Sequence, residues 1–196
     1  MRGVLLLLVL LAGAWGCASP ARPPDYLPRK LIILPVNNRT GDPLTVSGDG
    51  LLDRYVFHAQ TVAVSDILEA EAGLQLREKG FDPAPSDRKG DKGRIPTSTA
   101  DATELAAGQA GLAPVCLYIE IRRWQPEGRV HLKYVTVDVE ATLIDTTSRR
   151  TIWNSSKRGP VPTPGEVLLE AAYVVAARKI ISDLLAPLTH EPPAPR

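Results

Sequence analysis

The chain has 196 residues, with 23 Lys and Arg against 22 Asp and Glu, for a formal net charge of +1. That balance excludes the basic footprint that nucleic-acid binding needs, so no nucleic-acid partner is expected. Hydrophobic residues make up 44%, enough for a real core, while three dispersed histidines and two cysteines lack the clustered spacing of a metal site.

Residues 1–16 read as an export signal. Arg2 supplies the positive start, and residues 4–11 (VLLLLVLL) form an apolar run followed by Ala12-Gly13-Ala14. The run is too short for a membrane span, which takes roughly 20 residues. A short apolar core followed by small residues is the secretory pattern. Ala14-Trp15-Gly16-Cys17 then resembles the bacterial lipobox, which implies that Cys17 is the lipidated, palmitate-bearing residue. Ala14 and bulky Trp15 depart from that box. The competing reading is an ordinary signal peptide cut after Ala14 or Ala18. Several acyl chains anchor a protein stably where one does not. With Cys17 acylated, the other cysteine, Cys116, is expected to be a small buried hydrophobe. Ala18 in place of Asp resembles lipoproteins sorted to the outer membrane. Removing residues 1–16 takes away one charge, Arg2, and leaves a neutral mature chain.

Residues 18–30 contain four prolines and read as an extended tether. Residues 31–34 form a short apolar run that suits a central strand buried on both faces. Residues 36–43 are dense in turn formers, residues 44–46 suit a brief extended piece, and residues 47–50 a turn. Residues 51–60 are ambiguous. Residues 61–79 predict a helix ended by Gly80, with Val64, Ile67, Leu68, Ala72 and Leu76 inward and Glu71 and Gln75 interrupting that face. Residues 81–85 suit a short strand and residues 86–97 a charged surface loop. Ser98 or Thr99 can cap a helix over 100–111.

Residues 115–122 alternate, with Val115, Leu117, Ile119 and Ile121 on one side and Cys116, Tyr118, Glu120 and Arg122 on the other. This predicts a half-buried strand. A turn at 125–128 leads to a strand over 130–144, whose Val135, Val137, Val139, Ala141 and Leu143 point inward. A further turn at 145–148 precedes a strand over 150–155. Residues 161–165 read as a loop, and residues 166–185 as the strongest amphipathic helix. Pro187 ends it.

The fold expected is α/β with α+β character: a mixed sheet with a C-terminal antiparallel three-strand meander and helices packed on it. The divisions are a signal peptide at 1–16, a lipidated cysteine and tether at 17–30, one periplasmic domain at 31–186, and a disordered Pro-rich tail at 187–196.

No catalytic residue and no cofactor is assigned. His58, His131 and His190 form no ligand pattern, and neither a nucleophile elbow nor a phosphate loop occurs. Glu120 with Asp138 or Glu140 is the one carboxylate set that shares a face. An ion-paired sheet face beside Arg122 and Lys133 is the simpler expectation for it.

Three stretches carry a resemblance to a family of bacterial envelope lipoproteins. They are Ile33-Leu34-Pro35-Val36-Asn37 with Thr40, Tyr118-Ile119-Glu120-Ile121 with Trp124, and Leu143-Ile144-Asp145-Thr146 with Ile152-Trp153. The family's domain resembles the N-terminal domain of TolB, the curli secretion lipoprotein CsgG and LpoB. Arg149 stands where the family's turn usually carries Gly. The resemblance implies a non-enzymatic accessory component of an envelope assembly, transport or wall-synthesis system. It would sit at the outer membrane by its lipid, with an envelope protein partner and room for homo-oligomers. A CsgG-like channel subunit, using residues 115–140 as a membrane hairpin, and a Glu120-dependent hydrolase are the alternatives.

Overall fold

The computed structural model describes residues 27–47, 61–86, 94–127, 132–164 and 169–189. Several expectations lie outside those residues: the signal, Cys17, most of the tether, the turn after Ser47, the ambiguous stretch 51–60, and the three histidines. Most of the charged loop and the tail from His190 also lie outside them.

The described elements are β1 (Lys30–Ile33), β2 (Asn37–Asn38), β3 (Thr45–Ser47), β4 (Thr61–Ala63), α1 (Val64–Glu78) and β5 (Asp82–Pro85). They continue with α2 (Thr99–Ala107), β6 (Val115–Glu127), β7 (Tyr134–Asp145), β8 (Arg150–Pro162) and α3 (Leu169–Leu185). The main sheet runs β5-β1-β6-β7-β8, with β2 added along β6, and β3 pairs with β4 in a separate ribbon. β5, β1, β2 and β6 are parallel, whereas β6, β7 and β8 form the antiparallel meander. The mixed sheet and its meander are therefore as the sequence implied.

β1 is central because its side chains feed both faces. Leu31 and Ile33 enter the larger core beneath α1 and α3, and Ile32 enters a smaller core beneath α2. The inward positions expected of α1 and of β7 are all buried. Each fully buried Leu or Ile contributes about 1.5–3 kcal/mol. Gly80 has φ 87 and ends α1, as a residue free of Cβ strain can.

Four expectations need correction. The helix expected from residue 61 begins at Val64, because Thr61–Ala63 pairs with β3. β6 is not half-buried: Cys116, Tyr118 and Glu120 are as buried as the opposite side, since α2 and the chain after β1 cover them. The turn expected at 125–128 is still strand through Glu127. The loop expected from Val161 is also strand, because β8 runs to Pro162 along the full length of β7.

The packed chain also exceeds the expected division. Leu27, assigned to the tether, and Leu188, assigned to the tail, are both buried in the larger core. Among the described residues no helix is long and apolar enough to cross a membrane.

Candidate interaction surface

A β-bulge organises the face of the sheet on which α2 sits. Register between β6 and β7 slips between Ile121 and Arg123, so Arg122 is the extra residue. The slip turns Trp124 inward, where its ring meets Tyr173 of α3 edge-to-face at 5.6 Å between centroids. Bulges re-aim side chains in this way. Without the slip, strict alternation would send Arg123 into the core.

Arg122 lies across two carboxylates. Its Nε donates to Glu120 Oε1 at 2.6 Å, and its Nη1 sits 2.6 Å from Glu140 Oε2. Glu120 stands opposite Glu140 on β7 and Asn37 on β2, and like charges placed opposite would repel were Arg122 not between them. Tyr118 OH donates to Glu120 Oε2 at 3.1 Å, and Asn37 Nδ2 donates to the Tyr118 oxygen at 3.1 Å. Arg39 Nη1 reaches Glu120 Oε1 at 3.2 Å. Arg39 is presented by a local turn in which the Asn38 side chain accepts from Thr40 and donates to the Asp42 carbonyl. One strand further along, Arg158 Nε donates to Asp138 Oδ1 at 3.3 Å.

Glu120 is only 3% exposed, yet it has three donors. Burial pushes its carboxyl up, but the hydrogen bond and charge of Arg122, with Tyr118 and Arg39, pull it below the ordinary carboxylate range. A general acid needs the opposite shift. Burial pushes the Tyr118 hydroxyl up to about 12, with the Asn37 hydrogen bond opposing and the Glu120 charge adding. Burial also pushes the Cys116 thiol up to about 12, so it stays protonated and packs as a free, buried side chain.

The structure thus brings Glu120 and Glu140 together through Arg122, and it places Asp138 with Arg158 instead. Lys133, expected beside these acids, makes none of these pairs. Asn37, Arg39 and Tyr118 were not foreseen as members. Period-2 spacing does put Tyr118, Glu120 and Arg122 on one face, but Asn37 and Arg39 arrive through a contact 81 residues away in sequence. The described strand residues of the segment offered as a membrane hairpin, 115–127 and 134–140, are built into the sheet with their apolar side under α1 and α3. Among the described residues no three His, Cys, Asp or Glu side chains converge as metal ligands.

The sheet's two edges are both blunted. β5 carries Pro83 and Pro85, and β8 carries Lys157, Arg158, Gly159 with φ 100, Pro160 and Pro162. Charges, prolines and a bent backbone are the devices that discourage strand addition.

No protein-family model matches the chain, and no curated protein matches its sequence. Solved structures do match. PelC from Paraburkholderia phytofirmans, a dodecamer, aligns at TM-score 0.55 with 20% identity, over 86% of this chain and 94% of that one. Lipoprotein GNA1162 from Neisseria meningitidis aligns at 0.50 with 15% identity, over 80% and 97%. The LpoB C-terminal domain from Salmonella enterica aligns at 0.37 with 18% identity, over 81% and 93%, too loosely to weigh further. The resemblance read from the sequence stands at the level of a fold shared with a bacterial lipoprotein.

Proposed function

We propose that this chain is a non-enzymatic accessory lipoprotein of the bacterial envelope, anchored in the outer membrane through an acylated Cys17 and presenting its domain to a periplasmic protein partner. One observation carries the reading. A lipobox-like Ala14-Trp15-Gly16-Cys17 after an apolar run is followed by a domain that shares its fold with lipoprotein GNA1162. The ion pairs of Glu120 and Glu140 with Arg122 support a binding rather than a hydrolytic role, because Arg122 bridges both carboxylates and helps hold the Glu120 carboxyl below its ordinary range.

Assembly of several copies belongs to the same proposal, since PelC forms a dodecamer. With both sheet edges blunted, copies would meet through faces rather than by strand pairing.

Palmitate labelling of wild type and Cys17→Ser, followed by membrane fractionation, tests the anchor. Label and outer-membrane recovery that both vanish in Cys17→Ser are the expected result. An unlabelled, soluble wild type would overturn it. Crosslinking in cells then tests the partner, and recovery of monomer alone would remove the accessory role.

A further inference from the structure

A cleft of about 410 Å³ lies between α1 and the outer strand β5, on the face of the sheet opposite the Glu120 network. Small-ligand sites occupy about 300–1,000 Å³. The register explains the gap. Leu31 pairs with Pro83 and Ile33 with Pro85, so both prolines share the face that α1 covers, while Ile32 and Ala84 turn to the other. α1 passes over these prolines with Ala70 and Gly73, whose side chains are too small to fill the space.

Gly73 is the informative residue. Glycine in a helix interior is less stable than alanine. No positive φ demands it here, and a Cβ built at Gly73 would meet Ile33 Cδ1 and Arg77 Nη2 at 3.6 Å, an ordinary contact distance. Alanine would therefore fit and would stabilise α1. What the missing Cβ provides instead is open floor between Ile33 and the Arg77 guanidinium.

The cleft is charged at its ends and apolar between them. Both terminal nitrogens of Arg77 lie over Gly73, 3.6 and 3.9 Å from that Cβ position. They lean toward the helix N-terminus, the direction helical side chains take. Among the described residues Arg77 makes no ion pair, whereas Glu69 already has a partner. Asp66 keeps the far end negative, and Ile33, Ala70, Pro83 and Pro85 line the middle.

We infer that this cleft binds a small apolar monocarboxylate. Its carboxylate meets the fork of the Arg77 guanidinium, where two N–H groups serve two oxygens. Its aliphatic body lies across Gly73 on Ile33, Ala70 and the two prolines. Ala70 and Arg77 are seven residues apart, about 10 Å along the helix, so the body is a short chain or a small ring. Asp66 repels a second carboxylate at the far end, which favours a monoanion over a dianion. The ligand adds no strand to the blunted β5 edge and makes no use of Glu69. The inference rests on the cleft alone and is independent of the lipid anchor.

The test titrates the full-length chain in a maltoside detergent with hexanoate, hexanamide and hexylammonium, read by the NMR shifts of the backbone amides at positions 70 and 73. Hexanoate should saturate both shifts in the millimolar range, as a ligand of so few atoms can. Hexanamide should bind at least about tenfold more weakly, a difference of about 1.4 kcal/mol. Arg77→Met should weaken hexanoate by at least the same factor and leave hexanamide unchanged. Gly73→Ala separates a site from a packing defect, because it should raise the urea midpoint and weaken hexanoate several-fold in the same chain. Shifts that do not saturate at tens of millimolar hexanoate would overturn the proposal. So would hexanamide or hexylammonium binding as tightly as hexanoate, or hexanoate binding unchanged in Arg77→Met or Gly73→Ala. A urea midpoint lowered by Gly73→Ala would overturn it as well, since packing would then account for the glycine.

Discussion

The two faces of the sheet are built from the same strands and solve different problems. Under α1 and α3, the inward residues of β6 and β7 form one apolar field that is continuous from Val115 to Val135. Under α2, the field is short. Cys116, Tyr118 and Ile144 pack against Ile32, Ala102 and Ala106, and then the face passes to Asn37, Glu120, Arg122 and Glu140. Where two long helices lie on a sheet, alternation alone builds the core. Where a nine-residue helix covers only part of a face, the uncovered strands need polar side chains that satisfy one another.

The sharpest way to break this contrast is on the larger face. Leu68→Ala removes a wholly buried side chain and should cost about 2–5 kcal/mol in urea unfolding. Glu120→Gln, on the smaller face, keeps the shape but leaves Arg122 and Arg39 without their shared carboxylate, at about 2 kcal/mol. That cost has a pH signature. The folded carboxyl titrates below its usual value of 4.5, so its stabilisation is present above that value and is lost as pH falls through the lowered one. The gap between wild type and Glu120→Gln should hold steady from neutrality to about pH 5 and close in more acid solution. A gap unchanged into strong acid would show that the pair is not what stabilises this face.

Ser98→Ala acts on the same face through its helix. The Ser98 hydroxyl accepts from Asp101 N at 3.2 Å at the start of α2, and its loss should cost about 1 kcal/mol. Faster amide exchange in α2 than in α1 would confirm where the cost falls. The smallest effect lies off both faces. Arg149 has φ 55 in the β7–β8 turn, so Arg149→Gly should stabilise by about 0.5 kcal/mol, the relief of left-handed strain less the added chain entropy. Urea midpoints resolve the sign, and a decrease would mean that Arg149 makes contacts which outweigh its backbone.

Some of this was readable before any coordinates. The inward faces of α1, β7 and α3 followed from periods of 3.6 and 2, which depend only on local backbone geometry. That Arg149 stands where a glycine is usual followed from the resemblance to the lipoprotein family. Glu71 and Gln75 were harder. They interrupt the α1 stripe in sequence, yet both are buried, with Gln75 Nε2 donating to Glu71 Oε1 at 2.8 Å and to the Arg178 carbonyl of α3 at 3.1 Å. Their partner lies 103 residues further on, and a helical wheel does not contain it.

The chain by itself determined which residues are apolar, at what spacing, and that a cysteine follows an export-type run. Those are properties of neighbours in sequence. Tertiary structure alone decided that Arg122 is the extra residue of a bulge, that Asn37 and Arg39 join Glu120, and that Gly73 opens a cleft under Arg77. Each of these depends on which strands lie side by side and in what register. Register is a property of the whole sheet, because a one-residue slip anywhere along β6 would reverse which side chains meet.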